Sequence, residues 1–208
     1  MKIMLGVPVS DTIPGLFLGS FGAIQCELMR KGHYVVHSIT DKIPLDRGRN
    51  NIFYSCIESR VNYDYLFWMD ADMVIDVAHA LTLINYLEEH PEVDSVTGLY
   101  VRKCKPWNPT TYTYENTKFI SFVPTGTDPV EIGGVGLGCM VNRVKSLKEK
   151  LLPVIGSSGV PFWFDKNHDE DLNYCELMQR AGMKLILLPA VAIPHVGAAA
   201  EFEMRKKD

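Results

Sequence analysis

The sequence has little of what marks secreted, membrane-spanning or nucleic-acid-binding proteins. Its 208 residues include only five cysteines, which are scattered and form no C-x-x-C pair. They predict neither a disulfide framework nor a zinc site, and a reducing cytoplasm is the expected location. No run of about 18 apolar residues is present, so no segment is expected to span a membrane, although peripheral membrane contact stays open. The apolar stretch at 3–9 is too short for a signal peptide.

Positive charge is also sparse. The chain has 21 lysines and arginines against 25 aspartates and glutamates, which gives a formal net charge of −4. Nucleic-acid-binding domains usually carry a basic surface, so nucleic acid is not an expected partner. The small basic groups at 102–105 and 205–207 are interpreted as solvated faces.

Short apolar runs alternate with amphipathic segments through the first hundred residues. Strands are predicted at 3–9, 34–39, 65–69 and 95–101, with helices at 15–31, 47–58 and 77–89. Runs that are apolar on both faces are typical of parallel strands covered by helices. Residues 105–140 are rich in Thr, Pro, Gly and aromatics and predict hairpins and loops. After them we expect helices at 142–151 and 169–181, a strand at 184–188 and a short strand around Ile193.

Two aspartates end the most apolar of these strands. The stretch YLFWM at 65–69 runs into Asp70-Ala71-Asp72. If the chain stays extended, both carboxylates share one face, at the carboxyl edge where open α/β sheets bind ligands. Two neighbouring carboxylates suit Mg²⁺ or Mn²⁺, which keep further positions for phosphate oxygens. For the motif alone, a polar turn with an aspartate capping the next helix is the alternative.

A second acidic cluster, Asp169-Glu170-Asp171, opens the helix predicted at 169–181. Helical spacing puts Asp171 on the otherwise apolar face, where the helix dipole favours its ionised form. Such a carboxylate is suited to accept a proton, whereas simple capping is the structural alternative. His195 follows the last predicted strand and is either a structural histidine or a third metal ligand.

In this order, the motifs resemble the GT-A glycosyltransferases, and within them the inverting family 2 type. The matching stretches are IMLGVPVSD (3–11), LFWMDADMVI (66–75), EIGGVGLGCMVNRV (131–144) and the segment 169–197. The resemblance implies an α/β GT-A fold, in which a Rossmann-like, mainly parallel sheet is flanked by helices and joined by a smaller mixed β region. It also implies one domain over 1–208, with a nucleotide-binding half at 1–101 and an acceptor and catalytic half at 102–208.

The resemblance further implies a metal-dependent transferase. A single sugar would pass from a nucleoside-diphosphate sugar, by default a UDP-sugar, to a glycan or other hydroxyl acceptor, with inversion. Asp171 is the implied general base, and Mn²⁺ or Mg²⁺ is implied at Asp70, Asp72 and His195. Donor contacts are implied at Pro8, Val9, Asp41, Arg49, Asn50, Asp70, Ala71 and Asp72. The Q-x-x-R-W segment of processive synthases is absent, which favours transfer of a single sugar. Retention of the anomeric configuration is the stereochemical alternative.

Glycines and aromatics near these motifs allow two interpretations each. The glycines at 133, 134, 136 and 138 predict either a close approach of backbone to sugar or a flexible bend. The aromatic residues Trp107, Trp163 and Phe164 are candidates to stack on a sugar ring or to pack within the protein.

Other classes of function fit parts of the pattern. A haloacid-dehalogenase-like phosphatase also has D-x-D after a buried strand, with Asp70 as nucleophile and Asp72 as acid/base. Its lysine would be Lys145 or Lys148. In that family the motif follows the first strand, whereas here two strand–helix units precede it. A nucleotidyltransferase, or a GT-A-like domain that binds nucleotide or glycan without turnover, is the remaining alternative.

Overall fold

The structure is a computed structural model that describes residues 1–9, 12–102, 108–156 and 159–196. Strands and helices alternate in its first half, as the sequence predicts, and their ends differ from the predicted ones by no more than two residues. All five residues of the third strand are buried, which explains its continuous apolar run. The elements are β1 (Lys2–Val9), α1 (Gly15–Arg30), β2 (Tyr34–Asp41), α2 (Leu45–Ile57), β3 (Tyr65–Met69), α3 (Val77–Glu89) and β4 (Ser95–Leu99).

The second half is more irregular and contains shorter strands. These are β5 (Thr111–Glu115), β6 (Lys118–Ser121), β7 (Val130–Glu131), β8 (Gly134–Val135) and β9 (Cys139–Arg143). A helical segment follows, made of α4 (Val144–Ser146), a π-helical turn (Leu147–Leu151) and α5 (Leu152–Ile155). Helix α6 (Glu170–Arg180) and strand β10 (Leu185–Ala192) come last among the described elements.

Seven strands form the central sheet, in the order β2-β1-β3-β9-β4-β10-β7. Strands β2, β1, β3, β4 and β10 run in one direction, whereas β9 and β7 run in the opposite direction. The predicted α/β class with a mainly parallel sheet is therefore confirmed. The smaller β region is an antiparallel sheet, β6-β5-β8. The predicted single domain with its division near residue 101 stays a prediction.

The helix predicted at 142–151 is wrong at its start. Asn142 and Arg143 belong to β9, which lies between β3 and β4. A polar residue can lie in this buried strand because its side chain has partners. Trp68 Nε1 donates to Asn142 Oδ1 over 2.8 Å, and Asn142 Nδ2 donates to Ser95 Oγ over 2.6 Å.

The two strands predicted at 184–188 and around Ile193 form one strand instead. Strand β10 runs from Leu185 to Ala192, and its pairing with β4 shifts register between Leu188 and Ala192. This irregularity explains why the sequence pattern breaks there. Every helix in the described part of the chain is too short or too polar to cross a lipid bilayer.

Candidate active site

The carboxyl edge of the central sheet brings four predicted site residues to one cleft. Asp70 and Asp72 follow β3, Asp171 lies in the first turn of α6, and His195 lies beyond β10. All four line a cleft of about 380 Å³. Its walls also include Tyr100, Arg102, Thr110, Tyr112, Gly136 and Asp169.

The D-x-D segment leaves the sheet through a turn rather than continuing as an extended strand. Asp70 N donates to Gly138 O over 3.0 Å, and Met73 N donates to Asp70 O over 3.0 Å. In an extended strand, the alternation of side chains would place both carboxylates on one face. Here the turn sets their positions instead. The turn still leaves both on the cleft, with Ala71 partly buried between them.

A buried arginine joins three of the carboxylates. Arg49, on α2, has a side chain only 1% exposed. Its Nη2 lies 3.0 Å from Asp70 Oδ1 and 3.2 Å from Asp171 Oδ1. Its Nε lies 3.4 Å from Glu170 Oε1. When all three carboxylates are ionised, one guanidinium offsets only part of their negative charge, and a bound cation would reduce the excess.

Asp171 is held from two sides. Its Oδ2 accepts a hydrogen bond from Leu137 N over 3.0 Å, opposite the contact with Arg49. Asp169 caps α6 by accepting a hydrogen bond from Leu172 N, so the capping interpretation of the acidic cluster applies to this residue. Burial raises the pKa of the Asp171 carboxyl; Arg49 and the Leu137 amide oppose the rise, whereas Glu170 and Asp70 add to it. A carboxyl with a raised pKa at the wall of a cleft is suited to accept a proton.

The imidazole of His195 is oriented by a backbone carbonyl. Its Nδ1 lies 2.6 Å from Val101 O. A carbonyl oxygen only accepts, so Nδ1 carries the proton and Nε2 of the neutral ring presents a lone pair. Nε2 lies 3.7 Å from Asp72 Oδ1. Two electron-rich atoms at this separation are stabilised by a cation or a proton between them.

Asp72 and His195 offer donor atoms that suit a divalent metal, whereas Asp70 is paired with Arg49. Asp70 is already bound by Arg49, and the described residues contain no group of three or more His, Cys, Asp or Glu placed to hold a metal. Asp72 Oδ1 and His195 Nε2 lie side by side on the wall of the cleft, 3.7 Å apart. Mg²⁺ and Mn²⁺ keep several positions for water and substrate phosphates, so few protein ligands suffice. The three-ligand set stays a prediction.

The glycines at 136 and 138 make room for Tyr100, which the sequence pattern did not mark as a site residue. Tyr100 is 4% exposed, and its hydroxyl accepts from Gly138 N over 2.8 Å. A Cβ on Gly136 would lie 2.6 Å from the Tyr100 hydroxyl and 3.4 Å from Asp171 Oδ2. The segment 136–138 thus fixes Asp171 and Tyr100 together. No signal in the sequence marked it, because the strand predicted at 95–101 contained Tyr100, whereas the observed β4 ends at Leu99.

The glycines at 133 and 134 serve packing rather than a flexible bend. A Cβ on Gly133 would lie 2.4 Å from Tyr114 Cβ, and one on Gly134 would lie 2.7 Å from the Phe119 ring. Trp163 packs partly buried against the core, whereas Phe164 is 55% exposed. Trp107 lies outside the described residues.

The other predicted donor contacts are not among the residues that line the cleft. Pro8 and Val9 end β1, where Val9 pairs with Asp41 at the end of β2. Asn50 fixes the loop before α6, because its Nδ2 donates to Phe162 O over 2.8 Å and its Oδ1 accepts from Phe162 N over 3.1 Å. Contact of any of these residues with a nucleotide stays a prediction.

Solved structures show what fold this is. A197 from STIV is similar with a TM-score of 0.60 and 17% identity, over 94% of this chain and 85% of that one. A mutant of Drosophila β1,4-galactosyltransferase 7, in complex with manganese, UDP-Gal and xylobiose, has a TM-score of 0.52 and 14% identity. The match covers 99% of this chain and 74% of that one. CMP:2-keto-3-deoxy-manno-octonic acid synthetase, complexed with CTP, has a TM-score of 0.51 and 12% identity, over 99% and 97%.

No protein-family model and no curated protein matches the sequence. The identities to the solved structures are low, so the likeness concerns the fold. The chain has the Rossmann-like α/β fold that GT-A glycosyltransferases share with nucleotidyltransferases.

Proposed function

We propose that the chain is a metal-dependent glycosyltransferase with the inverting chemistry of the family 2 type. It would move one sugar from a nucleoside-diphosphate sugar, by default a UDP-sugar, to a hydroxyl acceptor. The observation that carries the proposal is that Asp171, with its raised pKa, lines the same cleft as Asp72 and His195. The cleft thus combines donors for a cation with a separate proton acceptor. The fold shared with a galactosyltransferase bound to manganese and UDP-Gal supports it.

The reaction requires a proton acceptor for the attacking hydroxyl and positive charge beside the leaving diphosphate. The acceptor hydroxyl gives its proton to Asp171 while its oxygen forms a bond to the anomeric carbon. The bond from that carbon to the diphosphate oxygen breaks, and the electron pair leaves with the diphosphate. A metal held by Asp72 and His195 would supply positive charge to the leaving diphosphate. Displacement in one step inverts the anomeric configuration.

A nucleotidyltransferase is the second candidate, because this fold also occurs in a synthetase complexed with CTP. Transfer of a nucleotidyl group expels pyrophosphate, and arginine or lysine side chains commonly clamp a transferring phosphoryl group. From Ile3 to Met29, which covers β1 except Lys2, the following loop and most of α1, the sequence contains no lysine or arginine. This segment therefore supplies no lysine or arginine to clamp a transferring phosphoryl group, which favours the glycosyltransferase.

The phosphatase alternative lacks its lysine at the cleft. Lys145 and Lys148 follow β9, which is antiparallel to β3, so Arg143 pairs with Tyr65 at the start of β3. Asp70 follows the other end of β3, roughly 16 Å away for five residues at about 3.3 Å each. A lysine at the opposite edge of the sheet does not serve a nucleophile at Asp70.

Thermal unfolding with candidate nucleotides tests the proposal. UDP, GDP, CDP and dTDP are each added with and without Mn²⁺ to the wild type, to Asp72→Ala and to Asp128→Ala. The control residue Asp128 is exposed and does not line the cleft. A ligand at about 100 times its Kd stabilises the fold by about 2.7 kcal/mol. We expect one nucleotide to raise the melting temperature only when Mn²⁺ is present. Asp72→Ala should abolish this shift, whereas Asp128→Ala should keep it.

Nucleotide binding and two further assays separate the candidates. Absence of a shift with every nucleotide, with or without metal, would overturn the proposal. Release of pyrophosphate from a nucleoside triphosphate and a sugar phosphate would favour the nucleotidyltransferase. With donor and acceptor in hand, the anomeric configuration of the product distinguishes inversion from retention.

A further inference from the structure

Arg102 brings a positive charge to the cleft wall beside the predicted metal ligands. The carbonyl of Val101, the preceding residue, lies 2.6 Å from His195 Nδ1. His195 Nε2 in turn lies 3.7 Å from Asp72 Oδ1. The main chain of Arg102 is fixed because its N donates to Asn108 O over 3.0 Å. Arg102 is therefore anchored one residue from the contact that orients His195.

The side chain of Arg102 is directed by Tyr112. Arg102 Nη2 donates to the Tyr112 hydroxyl over 2.7 Å, and both side chains line the cleft. Tyr112 belongs to β5, the central strand of the three-stranded sheet. This hydrogen bond limits the rotamers of the arginine before a ligand arrives, which lowers the entropy that binding costs.

The charges around the cleft indicate which ligand Arg102 would meet. Among the described residues that line it, Arg102 is the one lysine or arginine, against four aspartates, Asp70, Asp72, Asp169 and Asp171. The neighbouring Arg49 is committed to three carboxylates. A neutral glycan acceptor does not require a cation, whereas a diphosphate facing these aspartates does. The planar guanidinium is well matched to phosphate oxygens.

We propose that Arg102 binds the sugar-linked phosphate of the donor and stabilises the diphosphate as it leaves. This inference rests on the proposed glycosyl transfer and gives a catalytic role to a residue whose sequence context indicated only a solvated face. As the bond between the anomeric carbon and the phosphate oxygen breaks, the electron pair passes to that oxygen. Arg102 donates to it there, while the acceptor proton goes to Asp171.

Comparison of diphosphate and monophosphate binding tests this assignment without an acceptor. Calorimetry in Mn²⁺ compares each of UDP, GDP, CDP and dTDP with its monophosphate, which lacks the sugar-linked phosphate. The proteins are the wild type, Arg102→Ala and the control Arg60→Ala, which removes an exposed arginine that precedes β3. We expect Arg102→Ala to lower the affinity for the diphosphate by about ten- to a hundredfold and to leave the affinity for the monophosphate unchanged. Arg60→Ala should change neither.

Two further variants sharpen the result. Arg102→Lys keeps the charge but not the fork of donors, so it should recover part of the diphosphate affinity. Tyr112→Phe keeps the net charge but removes the hydroxyl that orients Arg102, so it should cause a smaller loss that is again confined to the diphosphate. A general loss of structure would weaken both nucleotides alike.

The outcomes separate this inference from the function on which it rests. Suppose that the wild type binds a diphosphate, and that Arg102→Ala lowers the affinity for the diphosphate and the monophosphate equally, or lowers neither. Arg102 then does not contact the sugar-linked phosphate, and the transferase proposal stands. If the wild type binds none of the four diphosphates, the transferase proposal fails, and the role of Arg102 fails with it.

Discussion

Arg49 Nη2 lies 3.2 Å from Asp171 Oδ1, and the same nitrogen lies 3.0 Å from Asp70 Oδ1. The arginine comes from α2, whereas the two carboxylates come from the end of β3 and the start of α6. The guanidinium carbon also lies 5.9 Å from the centre of the Trp68 ring. One buried cation thus joins three distant parts of the chain and keeps carboxylates of like charge close together.

Arg49→Ala should lower the free energy of unfolding by about 3–5 kcal/mol, because it leaves buried carboxylates without their partner. Urea denaturation measures the loss. The control is Arg47→Ala on the same helix, where the arginine is exposed and the change should stay within about 0.5 kcal/mol. Equal, small effects of both variants would show that the buried pairing contributes little.

Asp171→Asn should reduce glycosyl transfer by about 100-fold or more, because the amide cannot take the acceptor proton. Nucleotide binding should be kept, since the amide occupies the same space; thermal stability is measured beside it, because the amide loses the charge pairing with Arg49. Steady-state kinetics with the donor found by nucleotide screening measures the loss. A variant that keeps wild-type turnover would remove Asp171 from the mechanism.

The same carboxylate predicts the pH dependence of transfer. Only the ionised form accepts a proton, so the rate should rise as pH rises through the pKa of Asp171. Burial raises that pKa, so the midpoint should lie well above the value of about 3.9 for an unperturbed aspartate. A pH profile of kcat/KM measures it, and a rate that is flat from acid to neutral pH contradicts the assignment.

His195→Ala should weaken Mn²⁺ binding in the presence of nucleotide by at least about tenfold, since it removes an oriented imidazole nitrogen that faces Asp72. Titration of free Mn²⁺ by electron paramagnetic resonance measures the affinity. His90→Ala is the control, because that ring stacks on Tyr86 and does not line the cleft. Unchanged Mn²⁺ affinity in His195→Ala would exclude the histidine as a ligand.

Gly136→Ala should destabilise the protein by about 1–3 kcal/mol, because an overpacked interior must shift to accept the new methyl group. The added Cβ would lie 2.6 Å from the Tyr100 hydroxyl, whereas a Cβ on the control Gly126 would meet nothing within 4 Å. Addition of Tyr100→Phe removes the clashing oxygen and should recover part of the loss. Denaturation of the single and double variants measures this coupling, and strict additivity would argue against the contact.

The sequence predicted the first half of the fold well because its signals there are local. Apolar runs and helical periodicity are properties of neighbouring residues, and they placed every element from β1 to β4. Strand β9 was not predicted, and its residue Asn142 was assigned to the start of a helix. Its partners Trp68 and Ser95 are distant in sequence, so no local pattern indicates that the amide is satisfied.

The candidate site likewise contains residues that local sequence signals identify and residues whose roles depend on distant contacts. Asp70, Asp72, Asp171 and His195 were found because each stands at the end of an element, and the structure brings all four to one cleft. Arg49 was predicted to contact a nucleotide, but its observed contacts are with three carboxylates, and those contacts depend on how α2 packs against α6. Tyr100 and Arg102 acquire their positions from Gly138 and Tyr112, which no spacing in the sequence relates to them.

The position of β9 also bears on how the chain reaches its native state. Within the described residues, β4 pairs with β9 and β10 alone, and both follow the whole three-stranded sheet in the chain. When the first four strands have left the ribosome, β4 therefore has no native neighbour and β3 has an open edge. Exposed edges of this kind recruit other chains. Strand β9 closes the centre of the sheet and β10 completes it, both late in the chain, which implies slow refolding and a tendency of nascent or truncated chains to aggregate.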